Sequence, residues 1–360
     1  MTEATRLEKP LVLALDAMGG DHAPESVIKG AELFRRWHDD VHFLFYGDAE
    51  AIKPIVAGAD NLKDCSEIVH AEDRVLPDDK PSLALRRRKN SSMRLAIDAV
   101  AEGRAAGIVS AGNTGALMAM SKFILKPLEG IDRPAIVTTM PTTKGRCVML
   151  DLGANVECSA QHLFQFAVMG DAYARAVIGL ERPRVALLNI GTEELKGRDE
   201  IQAAAELLKN TSLPFNFVGY VEGDQILAGD VDVIVTDGFT GNVALKSIEG
   251  TAKTCRHFVK DTLKNSLMAK IGAFLAMRAF KKLAMKIDPR SHNGAMFIGV
   301  NGIAVKSHGG ADYKAFANAL EAARGLANHQ INARIIEEIR QSGEATELEQ
   351  TAAPAQPQEA

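Results

Sequence analysis

The chain has 360 residues, 24% of them charged, and a formal net charge of −4, so as a whole it has no attraction to nucleic acid. Its four cysteines (Cys65, Cys147, Cys158 and Cys255) are scattered without paired spacing, which supports neither a disulfide framework nor a zinc site. The polar N-terminus does not read as a signal peptide, and no stretch has the roughly 18 uncharged apolar residues of a spanning helix; a cytoplasmic protein, at most held on a membrane surface, is expected.

Along the chain, short continuous apolar runs alternate with helical patterns. The first run, at 11–15, leads into DAMGGDHAPES, which puts Asp16 at a strand end and Pro24 at the start of a helix expected over 24–37. Strands are expected next at 41–46 and 67–69, a helix at 91–102, a strand at 107–109 and a helix at 115–125. The pattern continues with strands at 135–139 and 147–150, a helix at 159–178, a strand at 185–189, a helix at 199–208, and strands at 215–219 and 231–235. Continuous rather than alternating runs suit strands covered on both faces, so the expected fold is α/β with a mostly parallel, Rossmann-like sheet. One catalytic domain is expected over 8–340. After Arg340 the composition turns acidic and rich in Ala and Gln, and 341–360 reads as a disordered tail.

In a parallel sheet the carboxyl ends of the strands face one edge, where ligands bind. Three segments repeat one plan of strand end, glycine-containing turn and helix start: SAGNTGAL with Asn113, Thr114 and Gly115; NIGTEELKG with Thr192, Glu193 and Lys196; and TDGFTGNVAL with Asp237, Thr240, Gly241 and Asn242. Such turns bring backbone N–H groups and a helix N-terminus to an anion. A lone loop of this kind is equally well a capped turn, but three together with a lysine followed by glycine point to an oxyanion site. The first loop adds Asp16, Gly19, Gly20 and His22. Neither G-x-G-x-x-G, a P-loop nor a G-x-S-x-G elbow is present, so the residues do not call for a bound nucleotide or a serine nucleophile.

Taken in order, ALDAMGGDHAP, SAGNTGAL, DLGAN, NIGTEELKG, TDGFTGN and KSHGGAD (306–312) resemble the bacterial phosphate acyltransferases that feed phospholipid synthesis, over nearly the whole chain. The resemblance implies a fold like that of phosphotransacetylase and isopropylmalate dehydrogenase, a homodimer and no cofactor or metal. It also implies a reaction in which inorganic phosphate attacks the thioester of acyl-[acyl-carrier-protein], giving acyl phosphate for phosphatidic acid synthesis. A membrane-bound glycerol-3-phosphate acyltransferase would consume that product. One departure is Lys80 before Pro81, where the family has an acidic residue. For this chemistry Lys196 is the expected cation for phosphate and oxyanion, and Asn242 the expected carbonyl donor. Asp16, His22 and His308 are candidates for orienting these groups, although a capping or core histidine is the blander reading of His22 and His308. The alternatives are transfer from an acyl-CoA, a hydroxy-acid dehydrogenase of related fold, and a membrane-recruited scaffold without chemistry.

Between the last expected strand and KSHGGAD lies a basic stretch, 264–290, with seven Lys or Arg against one Asp. Its net +6 leaves −10 on the rest of the chain. Arg278, Lys281, Lys282 and Lys286 share one helical face, opposite an apolar face with Met277 and Phe280; Phe274 precedes them. The phase changes near Gly272, so a break there and a helical hairpin over about 255–290 are expected. Its two readings are a dimer contact and an anchor on the anionic inner face of the cell membrane. A landing patch for acyl carrier protein is a third, for which the basic run at 86–89 competes.

Overall fold

The apolar runs form strands because most are buried from both sides by helices, only the two edge strands, at 66–70 and 216–221, being largely half-exposed. The computed structural model describes residues 10–214, 216–264, 267–280 and 294–352. Its strands are β1 (Leu11–Asp16), β2 (Val41–Gly47), β3 (Ser66–His70), β4 (Gly107–Ser110), β5 (Ala135–Thr142) and β6 (Gly145–Leu150). They continue with β7 (Arg184–Leu188), β8 (Asn216–Val221), β9 (Val233–Val235), β10 (Ala295–Ile298) and β11 (Ile303–Lys306). All eleven join one sheet in the order β3-β2-β1-β4-β11-β10-β5-β6-β9-β7-β8.

Seven of the ten neighbouring pairs are parallel. The three antiparallel pairs, β11 with β10, β10 with β5 and β5 with β6, lie together at the centre. Three successive reversals leave β6, β9, β7 and β8 running opposite to β1, β2, β3, β4 and β11. The sheet therefore has two parallel halves of opposed polarity, and the carboxyl ends of the two halves face opposite edges.

Helices cover both faces. On one face, α1 (Glu25–Arg35), α6 (Ala160–Tyr173), α7 (Asp199–Asn210) and α10 (Tyr313–Asn328) bury Ile28, Phe166, Ala205 and Phe316 against the strands. On the other, α4 (Ser92–Ala101) and α5 (Thr114–Leu125) bury Met93 and Met120, while Leu245 and Ile248 of α8 (Gly238–Lys264) pack at the margin. Ser91, Ser159 and Asp312 each cap the following helix with a side-chain oxygen. Two short helices, α2 (Ala49–Ala57) and α3 (Pro81–Arg87), complete the first half.

All nine expected strands form. β10 and β11 were not foreseen, because each spans only four residues between turns. Two further expectations change. α9 (Leu267–Leu275) runs through Gly272 unbroken, and the Ala276 N–H donates to the Gly272 carbonyl at 2.9 Å. One glycine among good helix formers costs only about 1 kcal/mol, too little to stop a helix. The last helix, α11 (Ile331–Ala352), carries helical backbone well into the segment expected to be disordered. Lys281, Lys282 and Lys286 lie outside the described residues. No helix among the described residues is long and apolar enough to cross a membrane.

Candidate active site

At the carboxyl edge of the first half, the loops after β1, β4 and β11 converge. Asp16 ends β1 fully buried and accepts hydrogen bonds from Ser92 Oγ at 2.6 Å and Ser110 Oγ at 2.7 Å. Burial pushes its carboxyl above the usual carboxylate range, against the lowering effect of those hydroxyls. The Asp21 N–H donates to the Gly309 carbonyl at 2.9 Å, tying the first loop to the last. Gly20 has φ 101°, and a Cβ there would sit 2.9 Å from the Ala111 Cβ and 3.0 Å from the Gly309 oxygen. Only glycine lets the three loops close up. Gly19 is equally confined, because a Cβ there would overlap the Asp16 carboxylate.

Asn113 is occupied by structure. Its Oδ1 caps α5 by accepting from the Ala116 N–H at 3.0 Å, and its Nδ2 donates to the carbonyls of Leu76, Pro77 and Asp79. Thr114 stands exposed at the start of α5, with Gly115 beside Pro81 of α3. His22 is exposed, and His308 accepts the Gly310 N–H on Nδ1 at 3.1 Å. Sequence reasoning passed over Lys306, the last residue of β11. Its Nζ donates to the carbonyls of Ala111, at 3.3 Å, and of Ser307.

The loops after β6, β7 and β9 face the other edge. Asp151, buried at the end of β6, accepts from the N–H groups of Ile136, Gly153, Ala154 and Asn155 and from Asn155 Nδ2. Burial raises its carboxyl above the usual range while these donors oppose the shift. α8 begins directly against this turn. A Cβ at Gly241 would overlap the Asp151 carbonyl oxygen, so glycine is what allows the helix to approach. One residue on, Asn242 lies over the turn, its Nδ2 3.5 Å from where a Cβ on Gly153 would be. Because α8 starts at Gly238, Asn242 is one turn inside it and is not its cap. That role falls to Asp237, whose Oδ1 accepts the Thr240 N–H at 2.8 Å. Asp237 Oδ2 accepts Thr240 Oγ1 at 2.8 Å and pairs with Arg198. Asp237 is thus buried and already bonded to Thr240 and Arg198.

Lys196 sits in the loop after β7, its side chain 51% exposed and its Nζ 3.1 Å from Glu193 Oε1. Glu193 thus orients the lysine and does not cap α7, which starts only at Asp199. The loop's base is fixed by Asn189, whose Nδ2 donates to the Lys196 carbonyl at 2.9 Å. Thr192 is exposed beside this pair. The six expected loops therefore form two groups. Asp16, Gly19, Gly20, His22, Asn113, Thr114, Gly115 and His308 share one edge; Thr192, Glu193, Lys196, Asp237, Thr240, Gly241 and Asn242 share the other. A single-edge site was expected from a parallel sheet, and the three central antiparallel pairings divide it.

This architecture is that of the phosphotransacetylases. The structure of a phosphotransacetylase from Streptococcus pyogenes matches 89% of this chain and 95% of its own with a TM-score of 0.62 at 18% identity. EutD phosphotransacetylase from Staphylococcus aureus matches with a TM-score of 0.57 at 18% identity, over 88% and 94% of the two chains. At such identity the likeness defines the fold. The sequence goes further: residues 11–334 match the family described as fatty acid synthesis protein, and the chain belongs to it. Among its relatives, the phosphate acyltransferase of Rhodospirillum centenum is 56% identical, over 91% of this chain and 92% of the relative. That of Paramagnetospirillum magneticum is 52% identical over 91% and 94%. The chain is accordingly an enzyme of the transferase class.

Proposed function

We propose that the protein transfers a fatty acyl group from the thioester of acyl carrier protein to inorganic phosphate, releasing the carrier thiol and acyl phosphate. The observation that carries this reading is the match at 56% identity to a phosphate acyltransferase along 91% of the chain. Chemically, a phosphate oxygen attacks the thioester carbonyl, the carbon–sulfur bond breaks and the thiolate takes up a proton. No protein nucleophile is needed. The protein's task is to hold phosphate in line and stabilise the oxyanion. Lys196, steered by Glu193, supplies the charge, and Asn242, held over the 151–155 turn by α8, supplies a neutral donor for the carbonyl oxygen. Asp151 and Asp237 keep that turn and the helix start rigid.

Acyl phosphate is a reactive mixed anhydride, so a consumer close by suits it, and a membrane-bound glycerol-3-phosphate acyltransferase fits that chemistry. The arm formed by α8 and α9 supports recruitment to the inner face of the membrane and pairing into a homodimer. Beyond Ile248, α8 is exposed nearly throughout, with Phe258 63% exposed, and on α9 Met268 and Phe274 are 80% and 70% exposed. Apolar surface of this extent is normally covered by protein or lipid. We assign the base of the arm to the second subunit and its tip, with Phe274, Arg278 and Phe280, to anionic lipid. The reaction is tested by trapping acyl phosphate with hydroxylamine from acyl carrier protein and from an acyl-CoA donor. Product from the carrier substrate is expected; equal rates from both would move the reading to a phosphotransacetylase-like donor, and NAD reduction without thiol release to a dehydrogenase.

A further inference from the structure

Lys306 is a charged group that the proposed chemistry leaves unused. It sits where three loops close on one another, and its direct partners are two neutral carbonyls, of Ala111 and Ser307. The carboxylates that face it, Asp16 and Asp21, act only through space. Asp16 has its own oxygens engaged by Ser92 and Ser110. The neighbouring His308 ring accepts from the Gly310 N–H. A half-buried ammonium whose hydrogen-bond partners among the described residues carry no charge is held at a cost, and burial lowers its pKa to about 8 even with the two carboxylates opposing. Around it, Gly19, Gly20 and Gly309 bring the backbone to close quarters without side chains. Glycine-rich backbone closing on a lysine is the kind of surroundings that receives an oxyanion.

We propose that Lys306 is the cation of a phosphoryl-binding site at the first-half edge, separate from Lys196 and Asn242. The inference rests on the acyltransferase reading and adds a second point of phosphoryl recognition. Two sources offer that chemistry, free inorganic phosphate and the phosphodiester at the root of the thioester's prosthetic arm.

The test compares wild type with Lys306→Met and Lys306→Arg, using acyl carrier protein, acyl phosphopantetheine and acyl pantetheine as donors. If free phosphate binds here, Lys306→Met raises the KM for phosphate roughly tenfold or more with every donor, as expected for loss of one charge-assisted hydrogen bond. If the arm binds here, the same change raises only the KM of donors that carry the phosphoryl group. Unchanged KM values for phosphate and all donors, in a variant that melts like wild type, would overturn the proposal. Should Lys306→Met fail to fold, the pH profile of Lys306→Arg decides. Lysine is charged below its pKa, so the relevant wild-type KM rises as pH passes through about 8. Lys306→Arg removes that rise, and a rise that persists in Lys306→Arg counts against Lys306. An enzyme that makes no acyl phosphate from any donor refutes the reaction and leaves this site testable by calorimetry with inorganic phosphate and with phosphopantetheine. Binding there raises the lysine pKa, so proton uptake at pH 8.5 in wild type and not in Lys306→Arg supports the site, whereas no heat with either ligand overturns it.

Discussion

Lys196 and Asn242 reach the second-half edge by different means, and their substitutions have different costs. Lys196 is half exposed on a loop and among the described residues its side chain is bonded only to Glu193, so Lys196→Ala is expected to leave the fold intact. Its kcat for acyl phosphate formation is expected to fall by roughly 10²–10³-fold, the usual cost of losing one oxyanion donor. Rates like those of wild type would remove Lys196 from the mechanism. Asn242→Ala takes a surface amide from α8 and is expected to lower kcat by a similar factor, about 10²-fold or more, with an unchanged melting temperature. Gly241→Ala, one residue away, is the contrasting case. Its methyl meets the Asp151 carbonyl, which belongs to backbone and cannot yield as a side chain would. It should destabilise by about 1–3 kcal/mol in urea unfolding, and a neutral result would mean that α8 slides freely on the 151–155 turn.

Whole elements carry the interface proposal. α8 is packed by its first turns and is exposed beyond them, so its distal half and α9 present Phe258, Val259, Met268 and Phe274 to the outside. Phe258→Asp, on the distal half of α8, is expected to shift dimer to monomer in analytical ultracentrifugation. Phe274→Asp on α9 should leave the dimer intact while abolishing flotation with phosphatidylglycerol vesicles. The reverse pattern would exchange base and tip. A smaller basic element, the run at 86–89, is simpler than its charge suggested. Arg88 turns inward to Asp73 and Asp79 and ties α3 to the preceding loop, which leaves Arg86, Arg87 and Lys89 facing solvent. Elements were the part most legible from the chain. A short run such as LVLAL bounded by turn residues reads as a covered strand, and Ser91 or Ser159 before an apolar period marks a helix start. Gly272 misled because the change of apolar phase there reflects an arm with no core to face.

At the scale of the molecule, the opposed halves were not legible, because strand polarity is a property of pairing and leaves no mark on a single strand. For the same reason Lys306 went unnoticed. A lysine after IAV is ordinarily solvated, and only the pairing of β11 with β4 takes it beside Asp16 and Ala111. β10 and β11 occupy the middle of the sheet, between β4 and β5, although they come from near the end of the chain. A chain ending at residue 290 would keep nine strands and lose the two that join the halves. It is expected to aggregate and to unfold with a smaller denaturant slope than the full chain; an unchanged slope and midpoint would show that the halves cohere without the centre.

That late-arriving centre also bears on biosynthesis. Lys306 and the Ala111 carbonyl that it meets are 195 residues apart. At roughly 5–20 residues per second, the ribosome takes about 10–40 s to deliver one after the other. For that interval the nascent β4 presents an unpaired apolar edge, the kind of surface that invites intermolecular pairing. The protein's yield in the cell is therefore expected to depend on what shields that edge during translation as well as on the stability of the finished fold.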